Sequence, residues 1–375
     1  MEKEELIYTV ALNRTLRYNS RAARELIEIA GSAKKVFGLN TKELKELFCK
    51  RYSFFEALRN ENNYREAEKE ISWAQENDIK ILCAFDKEGK YPAKLRECPD
   101  YPLILYVKGE LIPENKKILS IVGTRRATPH GLINCRRIVE ELADYCIDAI
   151  IVSGLAYGID IEAHKAAIDN DIPTVAVLAS GLDKIYPVSH THTANRIIRK
   201  GALISEYPRG SESLKANFLQ RNRIIAGISD ATIVVESGEN GGAMITASLA
   251  ASYSREVFAL PGRVGDEFST GCNLLISRNI ASIYISTLSL IESIGWNIGR
   301  NEFKRNREPL FKGESKEKEK ILLALGSDQD LDIDQLSKAT GISISRISSL
   351  LLELELEGMI KPLTRRRFKL FTNIL

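Results

Sequence analysis

What the chain lacks narrows its chemistry. Six cysteines (Cys49, Cys83, Cys98, Cys135, Cys146 and Cys272) are scattered over 375 residues with no C-x-x-C pair. Such spacing fits reduced, mostly buried thiols and excludes a disulfide framework or a zinc ribbon. Of the four histidines only His190 and His192 stand close together, with no Cys or Asp/Glu cluster beside them. No metal is expected. Net charge is only +3, so any nucleic-acid surface must come from local clustering of Lys and Arg. No apolar run approaches the ~18–20 residues of a membrane span. The acidic opening MEKEELIYTV has neither the basic nor the apolar stretch of a secretory signal. These absences read as a cytoplasmic protein without a membrane partner.

The common nucleotide and hydrolase motifs are missing as well. There is no G-x-x-x-x-G-K-[ST], which argues against an ATP-hydrolysing P-loop. No G-x-G-x-x-G opens the first crossover, and the second strand ends in IVSG, where an NAD site wants an acid for the ribose hydroxyls. No G-x-S-x-G elbow occurs, which disfavours serine hydrolysis. No cofactor is called for.

What is present is ordinary globular composition, 44% hydrophobic and 27% charged, at a length that fits roughly two or three domains. Residues 1–78 read as short helices, with breaks at Gly31 and Gly38. From residue 79 short apolar runs begin, ILCAF and then PLILYV. From Ile118 to Trp296 strand-like runs alternate with helices: ILSIVG, AIIVSG, PTVAVLASG, ALISEY, ATIVVES, EVFALPG and ASIYIS. Between the first two, Leu132, Cys135, Ile138, Val139, Leu142 and Cys146 recur at helical steps and form one apolar face. Near-continuous apolar strands joined by helices predict an α/β fold, a Rossmann-like, doubly wound, mostly parallel sheet covered on both faces. Its ligands belong at the carboxyl ends of the strands. Residues 79–297 form this domain. Residues 298–318, charged and poor in aliphatics, read as a linker, and residues 319–375 as a winged helix-turn-helix with a turn at Thr340–Gly341.

Four loops carry the candidate chemistry. In IVGTRRATPHG, Gly123 permits a tight turn and close approach. Thr124 follows, and Arg125 and Arg126 bring two cations to the strand end, suited to phosphate or to ion pairs with acidic side chains. In SGLAYGIDIEAH, Gly154 and Gly158 bracket a turn, Asp160 is placed to cap a helix from Ile161, and His164 is either a polar helix residue or a group reaching a ligand. In ANFLQRNRIIAG, Phe218 stands near Arg221, Asn222 and Arg223. Bases would stack on the ring while guanidinium groups hold phosphates, or the ring belongs to the core. In ESGENGGAMITAS, Gly238, Gly241 and Gly242 precede a helix from Ala243 and Met244, a ready anion site. A nucleotide-cleaving enzyme would want a carboxylate on that helix, and Ala243 to Tyr253 contains none. The site reads as holding phosphates, with no catalytic residue.

Assembled, the strings YPAKLRECPDYPLILYVKG, IVGTRRATPHG, SGLAYGIDIEAH, SGLDKIYP, ALISEYPRG, FLQRNRIIAGIS, SGENGGAMITAS, VFALPG and GCNLLI resemble the DprA/Smf family of DNA-processing proteins in order and spacing. The flanks look like that family's own, a helical domain of the SAM or helix-hairpin-helix kind and a winged helix. The resemblance implies a single-stranded DNA binder that forms homodimers, partners the RecA recombinase and protects incoming DNA during natural transformation. It implies a DNA pocket of Gly123, Thr124 and Arg125 lined by Arg221, Asn222, Arg223 and the loop from Gly238 to Met244.

The chain departs from the family pattern in places. Gln220 stands where many members have arginine, which removes one phosphate contact. The N-terminal region offers only Gly31 for a hairpin turn. In the winged helix, the third helix sets Arg346 against Glu353, Glu355 and Glu357, acidic for a DNA-reading helix. The wing, with Lys361, Arg365, Arg366, Arg367 and Lys369, is the better DNA surface. The competing expectation is a nucleotide hydrolase or phosphoribohydrolase on the same sheet. A transcription regulator would rest on the winged helix alone.

Overall fold

The computed structural model describes residues 2–16, 19–47, 57–60, 62–86, 89–110, 116–145, 147–298, 316–325, 331–356, 360–363 and 367–370. Contacts divide the chain into two compact units, residues 1–300 and 301–375. The helices before residue 79 fall within the first unit.

Those helices are α1 (Lys3–Thr15), α2 (Ser20–Ala30), α3 (Ala33–Gly38), α4 (Thr41–Leu47) and α5 (Asn62–Glu76). Gly31 ends α2 in the left-handed conformation at φ +86°, the usual glycine role at a helix C-terminus. Val10, Leu26 and Ile71 of these helices share one buried cluster with Ile79, Leu178 and Leu203 of the sheet region, and this common core makes them one unit. Polar ties reinforce it. Arg24 donates to the Pro99 carbonyl at 2.7 Å and lies over the Tyr101 ring at 3.9 Å. Buried Glu70 accepts from the Arg209 amide at 2.8 Å.

The sheet has nine strands: β1 (Ile79–Cys83), β2 (Ile104–Gly109), β3 (Lys117–Val122), β4 (Ala149–Ser153), β5 (Thr174–Val177), β6 (Ala202–Ser205), β7 (Ala231–Val234), β8 (Glu256–Ala259) and β9 (Ser282–Ile283), in spatial order β1-β2-β6-β5-β4-β3-β7-β8-β9. From β6 to β9 every pair is parallel, and β2 and β1 add an antiparallel edge. All residues of β4, β5, β6 and β7 are buried, as strands covered on both faces must be.

The helices are α6 (Ala93–Arg96), α7 (Pro129–Asp144), α8 (Ile159–Asp169), α9 (Thr191–Ile197), α10 (Lys215–Ile228), α11 (Gly242–Ser252), α12 (Thr270–Ser277) and α13 (Thr287–Ser293). Leu119 and Ile121 of β3 pack with α7, α8 and α13, while Ile118 and Val122 pack with α10, α11 and α12. Alternate residues of one strand thus face two helix layers, as the period of two requires. From β3 the chain winds through β4 and β5 to β6. It then crosses back by α10 to β7 on the other side of β3. The reversal opens a crevice at the carboxyl ends of β3 and β7, where doubly wound sheets bind ligands.

The second unit contains α14 (Lys316–Leu325), β10 (Leu331–Asp332), α15 (Ile333–Thr340), α16 (Ile344–Leu356), β11 (Ile360–Leu363) and β12 (Arg367–Leu370). Helix α14 begins inside the stretch read as linker. Asp332 and Gln335 form a reciprocal cap on α15, and Gly341 ends it at φ +72°. Leu350, Leu351 and Leu354 of α16 are buried with Ile347 and with Leu336 of α15, while Leu352 is exposed. The charge of α16 is shared with α14, because Arg346 pairs with Glu317 at 2.9 Å and Lys318 with Glu353 at 3.0 Å. On the wing, Lys361 stands opposite Lys369 and Leu363 opposite Arg367. Arg365, Arg366 and Glu357 lie outside the described residues. No helix among the described residues is long and apolar enough to cross a membrane, and no group of three or more His, Cys, Asp and Glu among them could hold a metal ion.

Candidate nucleic-acid interface

A cavity of about 930 Å³ occupies the crevice. The β3 loop supplies Gly123, Thr124, Arg125 and Arg126, α10 supplies Phe218, Arg221 and Asn222, and the loop after β7 supplies Gly238, Gly241, Gly242 and Ala243. Strings distant in sequence meet because all follow strand ends at the reversal of the sheet. Gly123 is required there. A Cβ would stand 2.5 Å from Ile159 Cγ1 and 3.0 Å from the Glu236 carbonyl, so a side chain would push α8 off the end of β3. At φ +75°, Gly158 passes so close to the β3 loop that a Cβ would lie 2.2 Å from the Thr124 carbonyl.

The cavity wall has distinct chemical parts. Arg125 is exposed, lies 4.9 Å over the Phe218 ring, and has no ion pair among the described residues. Phe218 is half-buried and belongs to no core cluster. Arg126 is also exposed, lies 5.1 Å over Phe268 and pairs with Glu267 at 2.6 Å. Of the two cations read from the same loop, one is available and one is engaged. Among the described residues no side chain caps the N-terminus of α11, and although the Met244 amide bonds the Gly241 carbonyl at 3.1 Å, the Gly242 and Ala243 amides and the dipole are left for an anion. Asn222 holds that loop by donating to the Gly242 carbonyl at 3.3 Å.

Arg221 forms the floor. It is only 3% exposed, donates to the Val177 carbonyl, and leaves Nε without a partner among the described residues. Burial and the charge of Arg125 lower its pKa to about 10, opposed by Asp160, so it stays protonated near neutrality. Asp160 is the companion that sequence reasoning missed. The residue at the N-cap of α8 is Gly158. Asp160 sits two residues further on, buried in the cavity wall. Burial raises its pKa, against the opposing charge of Arg221. An acid one step into a helix that starts at a strand's carboxyl end was the available signal, and it was read as a cap. Gly154 stands behind this pair instead of lining the cavity. A Cβ there would meet the Arg221 guanidinium at 2.2 Å.

Besides Gly154, two more expected pocket residues lie elsewhere. Arg223 is buried beneath α10 in an ion pair with Glu206 and donates to the Asp100 carbonyl at 2.6 Å. Two residues along a helix turn the side chain about 200°, so Arg221 and Arg223 point to opposite sides. Met244 likewise turns inward, packing against the core beside Gly271. His164 is wholly buried and bonds Thr174 Oγ1 at 2.7 Å. Burial lowers its pKa to about 3, so it is a neutral interior group and not a ligand contact. Glu236 lies outside the cavity and accepts from the Thr128 amide at 2.9 Å and from the Thr128 hydroxyl, at the start of α7. Lys215, Glu239, Glu267 and Phe268 also line the wall, and none was singled out from the sequence.

Comparisons with known proteins converge on one family. The model of the DNA recombination-mediator protein A family matches residues 81–295, and that of the DprA winged helix domain matches residues 306–364. Protein Smf of Escherichia coli K12 is 34% identical over 298 residues, covering 78% of each chain. The DNA processing protein A structure from Streptococcus pneumoniae superposes with a TM-score of 0.62 at 28% identity, covering 75% of this chain and 95% of that one. The Helicobacter pylori DNA processing protein A, described in its single-stranded DNA binding mode, gives 0.50 at 29% identity over 58% and 95%. With its central domain and winged helix both matched and its cavity built from the shared strings, this chain belongs to the DprA/Smf family of DNA recombination mediators.

Proposed function

We propose that the chain binds single-stranded DNA in this cavity and acts as a recombination mediator, protecting incoming strands and helping to load RecA during natural transformation. The observation that carries the reading is the pairing of an unpaired Arg125 with a half-exposed Phe218 beside the uncapped start of α11. Phosphate and base recognition then sit within one cavity: cation and amides for the backbone, an aromatic face for a splayed base. On this reading Gly123, Thr124, Arg125, Arg126, Phe218, Arg221, Asn222, Gly238, Gly241, Gly242 and Ala243 contact the strand, Gly154 makes room for Arg221, and Arg223 and Met244 act only through packing. The cytoplasmic setting, the homodimer and the RecA contact come with the family. The wing residues Lys361, Arg365, Arg366, Arg367 and Lys369 are a second DNA surface, while α16 serves packing and protein contacts.

The protein is read as a binder and not an enzyme. Asp160, Glu239 and Glu267 line the cavity; Asp160 is buried within the field of Arg221 and Glu267 is paired with Arg126, a setting that suits balancing cations more than abstracting a proton. Binding of oligo-dT and of duplex of equal length, titrated with salt and with free nucleotides as competitors, tests the function. Single strands should win clearly, with affinity falling steeply as salt rises. Equal or tighter duplex binding refutes the assignment.

A further inference from the structure

Two half-exposed tyrosines flank the cavity without lining it. Tyr186, on the loop after β5, is 49% exposed, and its ring meets Phe218 at 5.7 Å between centroids and 62° between planes. Tyr157, also 49% exposed, directly follows the cavity residue Ala156 on the loop after β4. Its ring packs against His190 at 4.8 Å and 70°, and its hydroxyl shares a hydrogen bond with Ser189 Oγ at 3.2 Å. Each tyrosine is therefore held by a near-perpendicular aromatic contact while about half of it meets solvent.

The two rings belong to one surface. Strands β4 and β5 are parallel neighbours, about 4.8 Å apart, so their following loops leave the sheet side by side. The Tyr186 loop itself supplies Ser189 and His190, the anchors of Tyr157. Scattered exposed aromatics are ordinary on protein surfaces. These instead continue an aromatic line that starts inside the cavity at Phe218, with Lys184 and Lys215 exposed nearby and neither in an ion pair among the described residues. Rigid rings of low residual entropy beside uncommitted cations suit unpaired bases and their phosphates.

We propose that Tyr186 and Tyr157 form a second stacking subsite for unpaired bases just outside the cavity, so that the strand runs from Phe218 across the loops after β5 and β4. This rests on the cavity being a single-strand site, and the test separates the two. Full-length protein is titrated with fluorescent oligo-dT of ~4 and ~15 nucleotides, bracketing one binding module's footprint. Tyr186→Ala should weaken the longer oligomer about 5- to 160-fold, the loss expected per stacked base, while the shorter stays within about 2-fold. Tyr157→Ala should act in the same direction, and Tyr186→Phe should bind as wild type. The salt slope should not change, because no phosphate contact is removed. Wild-type protein should also photocrosslink from 5-iododeoxyuridine to Tyr186 or Tyr157 when the base lies beyond the cavity. Equal loss for both oligomers means that Tyr186 only orients Phe218, and the subsite is refuted. No loss at either length, or no tyrosine crosslink at any position, also refutes it and leaves the surface to a protein partner. If wild-type protein binds neither oligomer, the single-strand reading of the cavity is what fails.

Discussion

Two arginines of one helix, two positions apart, should fail in different ways, and Arg223 gives the sharper test. Its side chain is 8% exposed and that of its partner Glu206 is 2% exposed, so solvent screens the pair little. Arg223→Met removes the cation, abandons the Asp100 carbonyl and leaves Glu206 buried with a second oxygen already unpaired. Breaking such a pair costs about 3–5 kcal/mol. At about 2–4 °C per kcal/mol for a large domain, the melting temperature should fall by roughly 6–20 °C. The deficit should depend on pH with a definite sign. Burial raises the Glu206 pKa in the folded state against the opposing charge of Arg223, and without Arg223 it must rise further. A carboxyl whose folded pKa exceeds its unfolded one is bound more tightly by protons in the folded state. The variant should therefore be least destabilised below the ordinary glutamate pKa of about 4.3 and lose stability as pH climbs from there through the folded pKa. Glu206→Leu added to Arg223→Met should restore most of the loss, since the uncompensated charge is gone. Calorimetry across that range, with oligo-dT binding measured per folded molecule, decides the matter. An Arg223→Met protein that melts like wild type yet has lost binding would return Arg223 to the DNA site and refute the packing argument.

Arg125→Ala should cost about 1.5–3 kcal/mol of single-strand affinity and flatten the salt slope by nearly one ion, whereas Phe218→Ala should cost about 1–3 kcal/mol per stacked base and leave the slope unchanged. Because Phe218 is half-buried outside every core cluster, thermal scans should show far less than the 3–5 kcal/mol of a core phenylalanine deletion, and an early-melting variant that binds normally refutes the stacking role. Nucleoside monophosphates incubated with wild type should release no ribose phosphate, and a release abolished by Asp160→Asn would make the protein an enzyme.

Much of the fold was legible because its signals are local. The strands β4 to β7, buried throughout, announce themselves as near-continuous apolar runs, since a strand covered on both faces has little polar side to show. The apolar stripe of α7 and the turn at Gly341 depend on a single helix period and a single φ. That the N-terminal helices share a buried cluster with the sheet was not legible, because a helix that packs on a sheet has the same amphipathic pattern as one that packs only on other helices.

The same division runs through the site. Sequence alone picked out the segments that meet in the cavity, since glycines and arginines at strand ends and a phenylalanine on the crossover helix are constrained by local backbone needs and by the order of strings along the chain. Only the tertiary structure decided what each side chain does. It set Arg221 against Asp160 in the cavity floor and Arg223 against Glu206 beneath the same helix, a difference made by about 200° of helical rotation and by which acid waits there. It committed Arg126 to Glu267 while leaving Arg125 over Phe218. It also gathered Tyr157 and Tyr186 from two loops into one surface. Pairings of this kind join residues tens of positions apart through the parallel order of the sheet, and no local pattern encodes them.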